Sequence, residues 1–159
     1  MKIHICPVKQ LYQLAGERNL SNCAGVLSSA GEIDGTKLHG LNYVFRQYED
    51  LDYECPGRSF SEEDAEAFAL FVKALDSSLQ TLYCCCDAGE SRSPAVAAAV
   101  MRYFRSDDMP LWRNPRYHPN MLVYAMLTRA LGVPLSDGEL DHRIHVNREA
   151  FRDAINAAK

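Results

Sequence analysis

The sequence predicts an α/β fold, a central and mostly parallel sheet flanked by helices, with a Cys-x5-Arg loop between one strand and one helix. Three observations predict it. Short apolar runs with strand character alternate with segments of helical spacing along the chain. The run QTLYCCC, residues 80–86, is apolar between polar ends, as a strand buried on both faces must be. It leads through DAGESR directly into a helix rich in alanine and valine, whose small side chains suit packing against a sheet.

The elements follow in order. Residues 2–8, KIHICPV, alternate in polarity and read as a strand stopped near Pro7, and residues 9–16 can form a short helix. Residues 24–30 and 40–48 read as second and third strands, with Gly31 and Gly35 at a turn between them. An acidic loop, EDLDYECPGR, comes next. Ser61 and Asp64 form a capping box, with Phe60 and Ala65 as a hydrophobic staple around it. Ala65, Phe68, Ala69, Val72 and Leu75 then recur at helical spacing, so residues 62–76 are an amphipathic helix. After the 80–86 strand, Ser93 and Pro94 suit the N-cap and first position of a helix running through Phe104. Residues 105–119 read as a loop, in which His118 can structure the approach to the next helix. Asn120 starts that helix, Ala130 ends it and Gly132 terminates it. A last helix is expected at about 148–158, capped by Asn147. No repeat and no compositional break divides the chain, so residues 1–159 are expected to form a single domain.

Composition narrows the function. With 47% apolar and 24% charged residues, the chain is of the globular type and not disordered. A net charge of −4 gives no long-range pull toward nucleic acid or anionic lipid. The N-terminus lacks a secretory pattern and no window reaches membrane-spanning length, which makes the cytoplasm the expected compartment and leaves no membrane partner. Six cysteines, at 6, 23, 55, 84, 85 and 86, include three in a row, which is no disulfide framework and lacks the paired spacing of a zinc site. Cys84 and Cys85 read as small apolar filling of a buried strand. His142 and His145, beside Asp141, read as a polar surface turn and not as metal ligands.

The segment that carries chemistry is CDAGESRS, residues 86–93. A strand ends in cysteine, and five residues later arginine stands at the start of a helix. Between them Asp87, Ala88, Gly89, Glu90 and Ser91 can curl so that their amides and the helix N-terminus cradle an anion. Gly89 permits the tight path. Arg92 can grip two phosphate oxygens with its planar fork. Cys86 lies beneath the cradle, where the same field favours a thiolate aligned for in-line displacement at phosphorus.

This segment resembles the active-site loop of the cysteine-based protein tyrosine phosphatases, and in particular their small dual-specificity-like members: cysteine, five residues, arginine, then serine or threonine. The resemblance covers about residues 40–130, and the N-terminal strands fit the same architecture. It implies a phosphotyrosine-phosphatase-like fold and hydrolysis of a phosphomonoester through a cysteinyl-phosphate, with no cofactor and no metal. Cys86 is then the nucleophile, Arg92 the phosphate clamp, and Ser93 the hydroxyl that assists the thiolate as leaving group. The family's general acid is an aspartate on a loop, and the matching segment here is Glu49-Asp50-Leu51-Asp52. Asp50 directly follows the third strand and is preferred, with Asp52 as the alternative. Ser91 reads as a brace for the loop. The family usually has histidine before the nucleophile, and this chain has Cys85. Basic residues inside the loop mark phosphoinositide-selective relatives. Asp87 and Glu90 instead disfavour a polyanionic headgroup, so a singly phosphorylated protein side chain or small phosphomonoester is the expected substrate. Tyr12, Tyr43, Trp112 and Tyr117 are candidates for a pocket wall.

Three rivals remain. One is a phosphate-binding module on the same fold without turnover. The second is an arsenate-reductase-like thiol enzyme, which needs a resolving cysteine near Cys86; Cys6 and Cys55 are the residues that could approach from other elements. The third, a nucleotide-binding loop, lacks the required lysine after glycine.

Overall fold

A computed structural model describes residues 1–159. Strands β1 (Lys2–Pro7), β2 (Cys23–Ser29), β3 (Asn42–Gln47) and β4 (Thr81–Cys86) form one sheet in the order β1-β4-β2-β3. Every pairing is parallel. Parallel strands need crossovers, and helices α1 (Val8–Glu17), between β1 and β2, and α2 (Glu62–Lys73), between β3 and β4, supply two of them. Helices α3 (Arg92–Tyr103), α4 (Met109–Trp112), α5 (Met121–Ala130) and α6 (Asp137–Ala157) follow the last strand.

β4 is a central strand, which explains its apolar run. Its residues alternate between two cores. Leu82 and Cys84 join Ala24 and Val26 in a core closed by α2, α3 and α5, while Tyr83 and Cys85 join Cys6, Leu11 and Leu27 in a smaller core under α1. The small residues of α3 fit between the sheet and α5, and Ala95 through Val100 are wholly buried. No helix is long and apolar enough to cross a membrane.

α2 starts as expected. Ser61 Oγ accepts from Asp64 N at 3.1 Å and Asp64 Oδ2 accepts from Ser61 N at 3.0 Å. Arg46 Nε donates to Asp64 Oδ1 at 2.6 Å and so ties β3 to this cap.

Four expectations about elements are corrected. α3 begins at Arg92, two residues early, so Ser93 and Pro94 lie inside its first turn and Ser93 is not the N-cap. α6 begins at Asp137, with Ser136 Oγ accepting from Glu139 N as its cap. Asn147 therefore lies mid-helix, where its side chain donates to the carbonyls of Trp112 and Tyr117 at 3.0 and 2.8 Å. His142 and His145 are helical as well, and His145 faces Glu149 at 3.3 Å. The segment 105–119 also contains a helical turn, α4, preceded by a buried aspartate.

That aspartate, Asp108, joins three helices. Its carboxylate accepts from Arg143 Nη2 at 2.7 Å, Arg143 Nε at 2.9 Å and Trp112 Nε1 at 3.0 Å, and also from the Tyr124 hydroxyl. Burial alone would raise its pKa. The hydrogen bonds from Arg143 and Tyr124 outweigh that, and the carboxyl sits below its ordinary value. A depressed folded-state pKa means stability that is present above the unfolded value, about 3.9, and lost as pH falls through the folded one. Asp108→Asn leaves the largely buried Arg143 with only the longer contact to Glu139, 3.9 Å from Nη1, as counter-charge. It is expected to cost roughly 3–5 kcal/mol in denaturant unfolding at neutral pH. It should also flatten the stability loss on acidification below about pH 4. A change within about 0.5 kcal/mol, the range of ordinary surface substitutions, would show that this network does not hold α6.

Candidate active site

β4 delivers Cys86 to the C-terminal edge of the sheet, where open parallel sheets place their ligand crevices. Residues 87–91 then turn back into α3. Cys86 is 2% exposed. Its Sγ receives the Gly89 amide at 3.2 Å and lies 3.1 Å from Ser93 Oγ. Both contacts can stabilise a thiolate. Ser93 reaches the sulfur because it stands in the first turn of α3 and not at its cap.

Gly89 has no substitute at its position. Its φ is +72°, and a Cβ there would lie 2.9 Å from Pro7 N and 3.0 Å from Cys6 C. These are backbone atoms of the β1–α1 junction, which cannot swing aside. The far side of the loop is braced by the segment before α5. His118 N donates to Glu90 O at 2.8 Å and Asn120 N to Ser91 O at 3.1 Å.

Arg92 is 6% exposed. Nη1 donates to Tyr48 O at 2.9 Å and Nη2 to Asp87 Oδ2 at 2.8 Å. Nε is buried and has no protein partner. A buried donor without an acceptor is costly, and a bound oxyanion would supply one.

Asp87 does not behave as a free charge in the loop. Besides Arg92, it accepts from Ser29 Oγ at 2.6 Å and Ala30 N at 3.1 Å. Partial burial would raise its pKa, but these bonds hold it below the ordinary carboxylate value. Repulsion of a polyanion by Asp87 is therefore largely neutralised within the protein, which leaves Glu90 as the exposed acid of the loop whose carboxylate has no protein partner. Ala88 is exposed at the turn.

Asp50 and the loop meet. Asp50 Oδ1 accepts from Ser91 Oγ at 2.8 Å and from Asn120 Nδ2 at 2.8 Å, while Oδ2 has no protein partner. Asn120 was legible only as a helix start. It caps α5 through Val123 N at 3.0 Å and also holds Asp50 and the Leu51 carbonyl, so one side chain joins the acidic loop to α5. Asp52 lines the same cleft, a cavity of about 440 Å³ bordered by Asp50, Ser91, Trp112, His118 and Arg148, but makes no hydrogen bond there. Of the four aromatic candidates, Trp112 lines this cleft. Tyr12 instead accepts from Asp34 N, Tyr43 lies against Gly35, and Tyr117 is outside the lining.

The other thiols are placed differently. Cys84 is enclosed in the larger core, and burial pushes its thiol up. Cys85 points to the opposite face, where its Sγ lies 3.4 Å from that of Cys6, and this contact and burial raise its thiol as well. Cys6 thus pairs with the residue before the proposed nucleophile and not with Cys86, whose sulfur meets Gly89 and Ser93. No three His, Cys, Asp or Glu side chains gather where they could hold a metal ion.

No protein-family model matches the chain, and no curated protein matches it. Solved structures do. The crystal structure of PTPMT1 covers 98% of this chain and 95% of its own, at 14% identity and a TM-score of 0.50. Human DUSP28 covers 99% and 95%, at 15% identity and a TM-score of 0.49. The Yvh1 phosphatase domain from Chaetomium thermophilum covers 90% and 88%, at 15% identity and a TM-score of 0.44. At such identities the likeness to PTPMT1 is one of fold alone, over nearly the whole chain.

Proposed function

We propose that this chain is a phosphomonoester hydrolase of the protein tyrosine or dual-specificity type, acting through a cysteinyl-phosphate on Cys86. One observation carries the reading. A buried cysteine at a strand end contacts an amide of its own loop and a hydroxyl in the first turn of α3, and Arg92, which follows the five loop residues, is buried with an unpartnered Nε–H.

The steps follow from these groups. The phosphoryl oxygens sit on the amides of residues 87–92 and on the Arg92 fork, in a site preorganised for the spread negative charge of the transition state. The Cys86 thiolate attacks phosphorus in line, forming the S–P bond as the ester P–O bond breaks. Asp50 gives its proton to the departing oxygen. Water then attacks phosphorus, Asp50 takes a proton from it, and the S–P bond breaks to release phosphate. Ser93 Oγ, 3.1 Å from Sγ, hydrogen-bonds the returning thiolate. The cleft beside Asp50 takes the leaving group, and a phosphorylated protein side chain or small phosphomonoester fits its largely polar walls. Every atom transferred is accounted for by protein groups and water.

Turnover of an aryl phosphate in the presence of a chelator tests the reading; a strict need for a divalent ion would refute it. The general acid has its own signature. Asp50→Asn keeps the acceptor for Ser91 and Asn120 but has no proton to give. It should slow phenyl phosphate roughly 10²-fold or more, and a much more acidic phenol far less. It should also flatten the basic limb of the pH–rate profile. Asp52→Asn should do neither. The reverse pattern would move the acid to Asp52.

A further inference from the structure

Asp87 closes a ring of four hydrogen bonds. Arg92 Nη2 donates to Asp87 Oδ2 at 2.8 Å, and Ser29 Oγ donates to Asp87 Oδ1 at 2.6 Å. Tyr48 N donates to Ser29 O at 2.9 Å, and Arg92 Nη1 donates to Tyr48 O at 2.9 Å. The ring spans the loop after β4, the end of β2 and the residue after β3. Ser29 is itself fixed, since it is buried and its Oγ accepts from Gly31 N at 3.1 Å. Ala30 N adds a further donor to Asp87 Oδ2 at 3.1 Å.

The consequence falls on the arginine. A guanidinium held at both terminal nitrogens has its plane set before any ligand arrives. Nε is then the donor left without a protein acceptor, buried beside the loop. An arginine that had to be ordered by its ligand would lose rotamer freedom at each binding event, whereas here that loss falls on folding. Asp87 also keeps the buried cation paired between turnovers, and its own carboxylate is surrounded by donors only.

We infer that the Asp87 carboxylate, seated on Ser29, is a positioning group that presets the Arg92 fork for an oxyanion, and is not itself a substrate contact. The inference rests on the phosphatase reading of the same loop, and it adds Ser29, a β2 residue outside the Cys-x5-Arg motif, to the working parts of the site. Asparagine at 87 would remove the negative charge facing Arg92 and put an amide N–H₂ either against Ala30 N and Arg92, both donors, or against Ser29 Oγ, which already accepts from Gly31 N. Alanine at 29 would remove one support of the carboxylate while leaving the ion pair in place.

The test combines kinetics with binding of tungstate, a phosphate-shaped oxyanion, followed by calorimetry. Asp87→Asn should lower kcat/KM by about 10- to 100-fold, as small misplacements of a clamp do, and weaken tungstate to a similar degree. Ser29→Ala should move both in the same direction by less, and serves if the Asp87 variant folds poorly. The deciding comparison is a double-mutant cycle. If Asp87 acts through Arg92, Asp87→Asn costs nothing further once Arg92→Ala is present. Equal losses in both backgrounds, or unchanged tungstate affinity in Asp87→Asn, would overturn the inference. Tungstate binding without turnover in the wild type would refute the phosphatase reading while the binding arm still decides the role of Asp87. A wild type that binds no tungstate would refute both.

Discussion

Cys86→Ser is expected to reduce aryl phosphate turnover by on the order of 10⁴-fold or more, the scale seen when a covalent nucleophile is removed. Serine is close to isosteric and can keep the contacts to Gly89 N and Ser93 Oγ. Its hydroxyl has a far higher pKa than a thiol, and the amides of one loop cannot ionise it near neutrality. The fold should survive, because Cys86 lies at the end of β4 and outside both apolar cores. Oxyanion binding should survive too, since the donors are untouched. Loss of rate with retained tungstate affinity is therefore the expected pair of results. Near-wild-type turnover would mean that Cys86 is a structural residue after all.

Arg92→Ala should lose about 10²- to 10³-fold in kcat/KM, as when a preorganised donor to the transition state is removed, and should weaken tungstate in parallel. Arg92→Lys should recover little. A single ammonium cannot hold Tyr48 O and Asp87 together and still present a donor to an oxyanion, which the fork does from one plane. A modest stability loss is expected as well, because Tyr48 is buried and its carbonyl would lose the Arg92 donor, at a cost of roughly 1–3 kcal/mol. The Asp87 side chain, about half exposed, can be rehydrated. Turnover and tungstate binding at wild-type levels in Arg92→Ala would place the anion elsewhere.

Much of this geometry is local and so was readable from the chain. The strand at 80–86 is an unbroken apolar run because β4 is covered on both faces, and it is observed at Thr81–Cys86. The capping box of α2 is a three-residue pattern that no tertiary contact has to complete. What escaped depends on distance. Asp108 meets Arg143 across 35 positions, and no short motif announces such a pair. α6 has no buried residue along its whole length and its first turn includes a glycine, so its first half lacks the apolar stripe that marked α2. Ser136, its ion pairs and the Asn147 side chain hold it instead. Pro94 misled the start of α3, because proline is tolerated throughout the first turn and here is its third residue. Asp87 is the instructive case at the site. As a letter in the loop it reads as a repelling charge. Three donors from β2, its following loop and Arg92 make it a paired one.

The central claim is a covalent bond between phosphorus and Cys86. Rapid quenching of the enzyme during turnover of a labelled aryl phosphate, followed by peptide mapping under conditions that preserve phosphothioesters, tests it directly. The account predicts one phosphoryl group on the peptide carrying Cys86, accumulating more in Asp50→Asn with an acidic phenol as leaving group, where breakdown lacks its base, and absent in Cys86→Ser. Steady turnover with no phosphoenzyme under any quench, or label on a histidine or aspartate with Cys86 unmodified, would contradict it.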